Sequence, residues 1–239
     1  MSRKEIYLSA LTAVCVATTG APALAATGFY VGATAGQSFF HQNKSDYDAA
    51  VVDEFIVSSV SYHPASSSLD KHDIAFGALV GYRLAPAFSI EASYIDLGKL
   101  SYNSTGMLTD GRFFSANAVG NFTVGAKGPT LAALGIVPFS GRWEIYAKAG
   151  LFFARMTRSL YTNMDHSPAG PTPTNEGYSS VSSNSVDPLL GIGTSWQVLN
   201  RLTLRGEYTR FVNVGEKHKT GEMSVDVFNL GLTYSLGQP

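Results

Sequence analysis

The chain has 239 residues, of which 45% are hydrophobic, 12% are aromatic and only 15% are charged. The formal net charge of −1 argues against binding to nucleic acid, which depends on a basic surface. Past the N-terminal segment no run reaches 18 consecutive apolar residues, which excludes a transmembrane helix. The charged fraction is also low for a soluble domain.

The N-terminus has the pattern of a cleavable secretory signal. Arg3 and Lys4 form a short basic region, residues 6–18 are apolar, and the stretch 20–25 offers a small-residue cleavage site after Ala25. The apolar run is too short to span a bilayer, which needs about 20 residues. We therefore predict a signal peptide over residues 1–25 and a mature domain over residues 26–239. The lone cysteine falls inside the signal, so we expect no disulfide.

Alternation of large apolar and small polar residues marks eight segments of the mature chain. The last is the clearest, because Phe228, Leu230, Leu232 and Tyr234 alternate with Asn, Gly and Thr. Alternate side chains of a strand point to opposite faces, so each segment predicts a strand with one apolar face. The eight predicted strands cover residues 28–40, 73–84, 88–97, a part of 118–137 that Gly128 and Pro129 interrupt, 143–156, 186–198, 201–211 and 222–236.

The connections between these strands alternate between short and long. Residues 42–71, 98–117 and 158–185 are long and polar, whereas residues 84–87, 138–142 and 199–200 form tight turns. Short turns on one rim and long loops on the other are typical of outer-membrane barrels. A soluble barrel with its apolar face inward is the alternative, but the export signal favours the membrane. We predict an all-β fold: an eight-stranded antiparallel transmembrane up-and-down β-barrel with its apolar face toward lipid.

Two parts of the long loops have a distinct composition. Residues 51–62 include several β-branched and aromatic residues and predict a strand that extends above the membrane. Residues 179–185 are almost all serine and asparagine and predict a flexible segment. Loops longer than about 12–15 residues are usually functional or disordered.

The same alternation places Glu91, Lys148, Arg205 and Glu207 on the polar face of the third, fifth and seventh strands. The interior of an eight-stranded barrel is just wide enough for side chains, so we expect these charges to pair there. No G-x-S-x-G or H-E-x-x-H motif and no metal-ligand spacing is present. We therefore expect no enzymatic activity, no metal and no cofactor.

Several stretches resemble the N-terminal transmembrane domain of the OmpA family. They are residues 76–84 followed by Pro86 and residues 90–94, residues 144–150, residues 205–208 and residues 232–238. The resemblance spans most of the mature chain apart from the long loops. It implies that the four interior charges form a lumenal cluster, which either plugs the barrel statically or gates a narrow pore by exchanging partners. The sequence ends at Pro239, so we expect no peptidoglycan-binding domain.

These patterns predict an integral outer-membrane protein of a Gram-negative bacterium with a structural role in the envelope, and leave open a narrow pore for small solutes. The alternative is a surface adhesin or immune-evasion factor that acts through its long loops. The expected partners are outer-membrane lipid and lipopolysaccharide, the outer-membrane assembly machinery and a host surface ligand. Leu236 ends the last strand where such barrels usually carry a terminal Phe, so recognition by the assembly machinery is an open point.

Overall fold

The computed structural model describes residues 27–55, 61–109, 115–166 and 175–236. The predicted signal peptide lies outside these residues. Within them the chain forms nine strands and one helix. In chain order the elements are β1 (Gly28–His41), α1 (Lys44–Phe55), β2 (Ser61–Asp70), β3 (His72–Ala85), β4 (Phe88–Thr109), β5 (Ser115–Ser140), β6 (Trp143–His166), β7 (Asn175–Gln197), β8 (Leu202–Glu216) and β9 (Gly221–Ser235).

Eight of the nine strands close into a ring. Each of β3 to β8 pairs with its neighbour in the chain, and β1 pairs with both β3 and β9. The seam between β1 and β9 runs from Tyr30 opposite Ser235 to His41 opposite Ser224. All of these pairings are antiparallel. The predicted eight-stranded antiparallel barrel is therefore confirmed.

The apolar side chains of the ring point outward. Phe228, Leu230 and Leu232 retain 55%, 67% and 50% of their surface, whereas Asn229 and Thr233 between them are buried. The same alternation on β3 leaves Ile74, Phe76 and the other apolar members of its row exposed. A soluble barrel would bury these side chains, since apolar area in water is unfavourable at about 25 cal/mol per Å². This arrangement agrees with the prediction that the apolar face of the barrel contacts lipid.

The strands on one side of the barrel are longer than the alternation predicts. β2 pairs with the upper part of β4, and β4 to β7 all continue beyond the ends of β8 and β9. We call this extension, formed by β2 and the upper parts of β4, β5, β6 and β7, the protruding sheet. The prediction of a flexible segment over residues 179–185 is wrong, because these residues lie in β7 and pair with β6. Two facing strands that exchange backbone hydrogen bonds can order even a serine-rich segment.

The prediction of a strand over residues 51–62 is wrong for residues 51–55 and confirmed for residues 61–62. The chain is helical from Lys44 to Phe55, residues 56–60 lie outside the described residues, and the strand begins at Ser61. Asn43 stands at the N-cap position and Asp46 in the first turn, both of which favour a helix. No helix among the described residues is long and apolar enough to cross a bilayer.

Strand β5 places apolar side chains in the lumen, although the interior of an outer-membrane barrel is usually polar. Phe122, Val124, Leu134 and Ile136 all point inward and are buried. Pro129 does not interrupt β5. The irregularity lies in the neighbouring strand, as a bulge in β4 between Asp96 and Lys99, which are in register with Lys127 and Gly125 of β5. The interior of this barrel is therefore polar only in part.

Leu230 lies midway along β9 and faces lipid, so it tests the orientation of the barrel. We expect Leu230→Arg to lower the free energy of unfolding in phospholipid vesicles by about 2–4 kcal/mol, since a charge at the bilayer midplane is poorly solvated. The measurement is denaturant unfolding of the vesicle-embedded protein. Ser180→Arg, on the exposed surface of the protruding sheet, is the matched control and should change stability by less than about 0.5 kcal/mol. Equal effects of the two substitutions would contradict the lipid-facing assignment.

Candidate functional site

Four charged side chains meet inside the lower half of the barrel, on the side of the short turns. Glu91 projects inward from β4, Lys148 from β6, and Arg205 and Glu207 from β8. Strand alternation explains why Arg205 and Glu207, two residues apart, share the inner face. The exposed fraction of each of these side chains is 9% or less. We call these four residues the lumenal cluster.

The lumenal cluster is an alternating ring of two acids and two bases. Lys148 Nζ lies 3.4 Å from Glu91 Oε2 and 3.1 Å from Glu207 Oε1. The Arg205 guanidinium donates to Glu91 Oε1, and its second terminal nitrogen lies 3.2 Å from Glu207 Oε2. Each carboxylate therefore contacts both cations, and the formal charges cancel. Cancellation is required here, because an unpaired charge in a low-dielectric interior is costly.

Hydroxyl groups complete the coordination of the two carboxylates. Tyr30 donates to Glu91 Oε1 at 2.9 Å, Tyr146 to Glu207 Oε2 at 3.0 Å, and Thr209 to Glu207 Oε1 at 2.7 Å. The Arg205 guanidinium also lies 4.7 Å from the centre of the Tyr146 ring, within the range of a cation–π contact. Glu91 Oε2 accepts no hydrogen bond from the described residues, so its contact with Lys148 is the loosest link of the ring.

A second ion pair lies nearer the short-turn end and was missed by the sequence reasoning. The Arg83 guanidinium contacts Glu144 through two nitrogens, at 2.8 and 3.1 Å, in the forked geometry that arginine favours with a carboxylate. Ser195 donates to the same carboxylate at 3.3 Å. The alternation of the strand could have placed Arg83 on the inner face, because it stands between the outward residues Tyr82 and Leu84.

Above the lumenal cluster the interior is mainly apolar, with Asp187 and Thr130, the strand partners of Phe152, buried beside it. Phe152 and Phe211 meet edge to face with 5.0 Å between ring centres, and both are fully buried. They pack in one cluster of buried apolar side chains. The other members at this level include Leu97, Leu100, Met156, Leu189, Val214, Val225 and Val227. Large apolar side chains packed against one another obstruct a continuous file of water molecules. The lumen is thus closed by two layers of different chemistry.

Helix α1 packs on the inner face of the protruding sheet. The Tyr47 ring stacks on Tyr102 with 5.6 Å between centres and meets Phe122 edge to face at 5.2 Å. Burial raises the pKa of Tyr47 to about 12. Asp48 accepts hydrogen bonds from Tyr102 and Ser67, and the bond from Tyr102 lowers the pKa of Asp48 below its usual value. The helix is therefore held by stacked rings and by a carboxylate that is ionised at neutral pH.

The family model of the OmpA-like transmembrane domain matches residues 24–239. The chain belongs to the OmpA-like transmembrane domain family. The resemblance inferred from the sequence is confirmed at this level. The chain is accordingly an integral β-barrel protein of the bacterial outer membrane, and the rim with the short turns faces the periplasm.

The following solved structures are similar in fold to this OmpA-like barrel and distant from it in sequence. Neisserial surface protein A is 14% identical, with 87% of this chain and 97% of that chain covered and a TM-score of 0.41. The N-terminal barrel of Pseudomonas aeruginosa OprF is 9% identical, covering 87% and 100%, with a TM-score of 0.36. The attachment invasion locus protein Ail of Yersinia pestis is 11% identical, covering 87% and 98%, with a TM-score of 0.36. A comparison with curated protein sequences found no match.

The lumenal cluster of this OmpA-like barrel allows a direct test of its energetics. Removing Arg205 leaves Glu91 and Glu207 with a single cation between them. We expect Arg205→Met to destabilise the vesicle-embedded barrel by about 3–5 kcal/mol, the usual cost of breaking a buried ion pair from one side.

Glu91→Gln combined with Arg205→Met restores neutrality and is the matched control. We expect the double variant to recover at least half of the loss, which a double-mutant cycle measures as the coupling between the two residues. Additive losses would show that the two side chains do not interact energetically.

Proposed function

We propose that this OmpA-like barrel has a structural role in the outer membrane and that its lumen passes no solute in this conformation. The observation that carries the proposal is the double closure of the lumen. The lumenal cluster fills the lower half, while packed side chains such as Phe152 and Phe211 fill the upper half. A gate that only exchanges ion-pair partners would still meet the apolar layer, so partner exchange alone opens no path.

The alternative is a narrow pore gated by the lumenal cluster. It requires Glu91 or Glu207 to change partners, and the looser contact between Glu91 and Lys148 is the place where this exchange would start. Against it, the level above the cluster is filled mainly by packed apolar side chains, and the buried carboxylate there, Asp187, is held by the Ser185 hydroxyl and the Gly215 amide. A static plug and a gated pore therefore predict different conductance when only the ion pairs of the lumenal cluster are broken.

Conductance in planar bilayers separates the two roles. We expect the wild-type protein and Arg205→Ala to be equally silent, because the apolar layer remains in both. We expect the combined variant Arg205→Ala, Phe152→Ala and Phe211→Ala to conduct, since it removes both closures. A wide-bore porin in the same bilayer is the positive control. Steady conductance by wild type, or by Arg205→Ala alone, would overturn the structural role in favour of the gated pore.

Surface interaction is the second candidate, and one observation favours it. The protruding sheet rises beyond β8 and β9, and the upper part of β7 has no strand partner on its outer side among the described residues. An unpaired strand edge can accept an extended segment of another protein. Tyr178 and Val181 near this edge are exposed, which gives an added segment apolar contacts.

Binding of host cells by the parent bacterium tests this candidate. We expect a variant that replaces residues 160–180 by a short turn to lose binding, because the replacement removes the upper edge of β7 and leaves the barrel ring intact. Deletion of residues 42–71 removes α1 and β2 on the opposite edge and serves as the comparison. If neither deletion changes binding, the protein is not an adhesin. Absence of enzymatic activity and engagement of the assembly machinery stay predictions of the sequence.

A further inference from the structure

Three basic side chains lie together on the outer wall of the barrel. Lys99 of β4, Lys127 of β5 and Arg155 of β6 point outward and are exposed. Lys127 and Arg155 are direct partners across the two strands. Lys99 is in register with Gly125, one row higher, and its Cγ lies 3.1 Å from the point where a Cβ of Gly125 would stand. The side chain of Lys99 therefore crosses the bare backbone at Gly125. We call these three residues the basic patch.

No acid among the described residues reaches the cations of the basic patch at ion-pair distance. None of its members forms an ion pair there. Asp96 is in register with Lys127, but its Oδ1 accepts the amide of Gly98 at 2.9 Å. Like charges directly opposite each other destabilise an antiparallel pair. A multivalent anion that bridges the two strands would remove this repulsion.

A cation elsewhere on the outer wall shows the contrast. Arg210 of β8 lies 3.4 Å from Asp226 of β9, and the same carboxylate lies 2.6 Å from His41 of β1. That side of the barrel supplies its own counter-charge from neighbouring strands. The basic patch differs because its three strands supply none at ion-pair distance.

The basic patch lies at the boundary between an apolar and a hydroxyl-rich surface. Below it the outward residues are apolar and exposed, with Tyr94, Leu131, Leu151 and Phe153 on the same three strands. Above it the outer face carries hydroxyl pairs, Thr157 with Ser182 at 3.1 Å and Ser159 with Ser180 at 3.2 Å. These hydroxyls lie on the long-loop side, which faces the outer leaflet in barrels of this class.

We propose that the basic patch binds the phosphorylated sugar headgroup of the outer-leaflet glycolipid, lipid A. Its phosphates lie between Lys127 and Arg155 with Lys99 closing the upper side, because guanidinium offers a forked pair of donors and lysine a mobile point charge. The sugar hydroxyls face Thr157 and Ser182, and the acyl chains follow the apolar surface below. This inference rests on the proposed envelope role and names a lipid that the barrel holds there.

A sulfated polysaccharide from outside the cell is the competing ligand, since it carries the same kind of charge. The structure favours the lipid for two reasons. The basic patch opens sideways from the wall of the barrel rather than at the tips of the long loops, and its lower border is apolar over three adjacent strands. A polysaccharide would leave that apolar border without a partner.

The test uses the full chain refolded in neutral phosphatidylcholine nanodiscs, with lipid A, dephosphorylated lipid A or heparin added as probes. Each cation near an anionic lipid surface strengthens binding by about fivefold. We therefore expect the triple variant Lys99→Gln, Lys127→Gln and Arg155→Gln to bind lipid A on the order of 100-fold more weakly than wild type. Wild type should bind dephosphorylated lipid A as weakly as the triple variant binds lipid A.

Arg142→Gln combined with Arg201→Gln, at the short-turn rim, is the matched control and should keep wild-type affinity for lipid A. The heat-dependent shift in gel mobility shows that each variant has folded. Affinity of the triple variant within twofold of wild type, or tighter binding of heparin than of lipid A at the basic patch, would overturn the assignment. Conductance is measured on the same protein variants in planar bilayers without lipid A, so failure of this inference is distinguishable from failure of the structural role.

Discussion

Closure of the backbone hydrogen bonds between the first and last strands is the constraint on which the rest of this barrel depends. In lipid an unpaired backbone group costs several kcal/mol, so a sheet with two free edges would not be stable there. β1 and β9 pair along almost their whole lengths. The approach is close enough that a Cβ at Gly36 would stand 2.0 Å from the carbonyl oxygen of Phe228. The pairing of β1 with β9 therefore requires glycine at this position.

A closed ring of eight strands fixes what the interior can hold. The space admits side chains but no wide water column, so each inward charge needs a protein partner. The lumenal cluster meets this requirement with two acids and two bases from three strands, and the hydroxyls of Tyr30, Tyr146 and Thr209 donate further hydrogen bonds to its carboxylates. Higher in the lumen most side chains are apolar, and the buried Asp187 carboxylate accepts hydrogen bonds from the Ser185 hydroxyl and the Gly215 amide. Charge pairing and apolar packing are two solutions to one geometric limit.

The part of the fold inside the membrane could be predicted from the sequence because contact with lipid makes the outer face apolar. Seven strands of the ring follow from this alternation, with ends that differ mainly on the long-loop side, whereas the apolar row that marks β5 faces the lumen. The inward charges Glu91, Lys148, Arg205 and Glu207 follow from the same parity. Their partner contacts do not, because distances across a lumen depend on register and strand tilt.

Prediction failed where the strands leave the bilayer. On the protruding sheet the outer face meets water, so serine and threonine replace the apolar residues and the contrast between faces is lost or inverted. Phe122 and Val124 are buried inside, while Ser159 and Ser180 lie outside. Helix α1 was missed for a related reason. Its stabilising contacts, Tyr47 on Tyr102 and Phe122, come from strands that are distant in sequence.

A single bulge in β4 separates the membrane-embedded part of the strand from its part in the protruding sheet. Below it the inward residues have odd numbers, as at Glu91 and Ile95, and above it they have even numbers, as at Leu100 and Tyr102. Gly98 sits at the bulge with a φ of +76°, a value that a residue with a side chain rarely adopts.

The Asp73 carboxylate fills the space beside Gly98, where a Cβ would stand 2.7 Å from Asp73 Oδ2, and it accepts the amide of Lys99 at 2.7 Å. Without this bulge the parity of β4 would turn Lys99 toward the lumen and Leu100 toward the outer wall. The bulge at Gly98 therefore sets, in one step, the apolar lining of the upper lumen and the outward direction of a cation at the edge of the lipid.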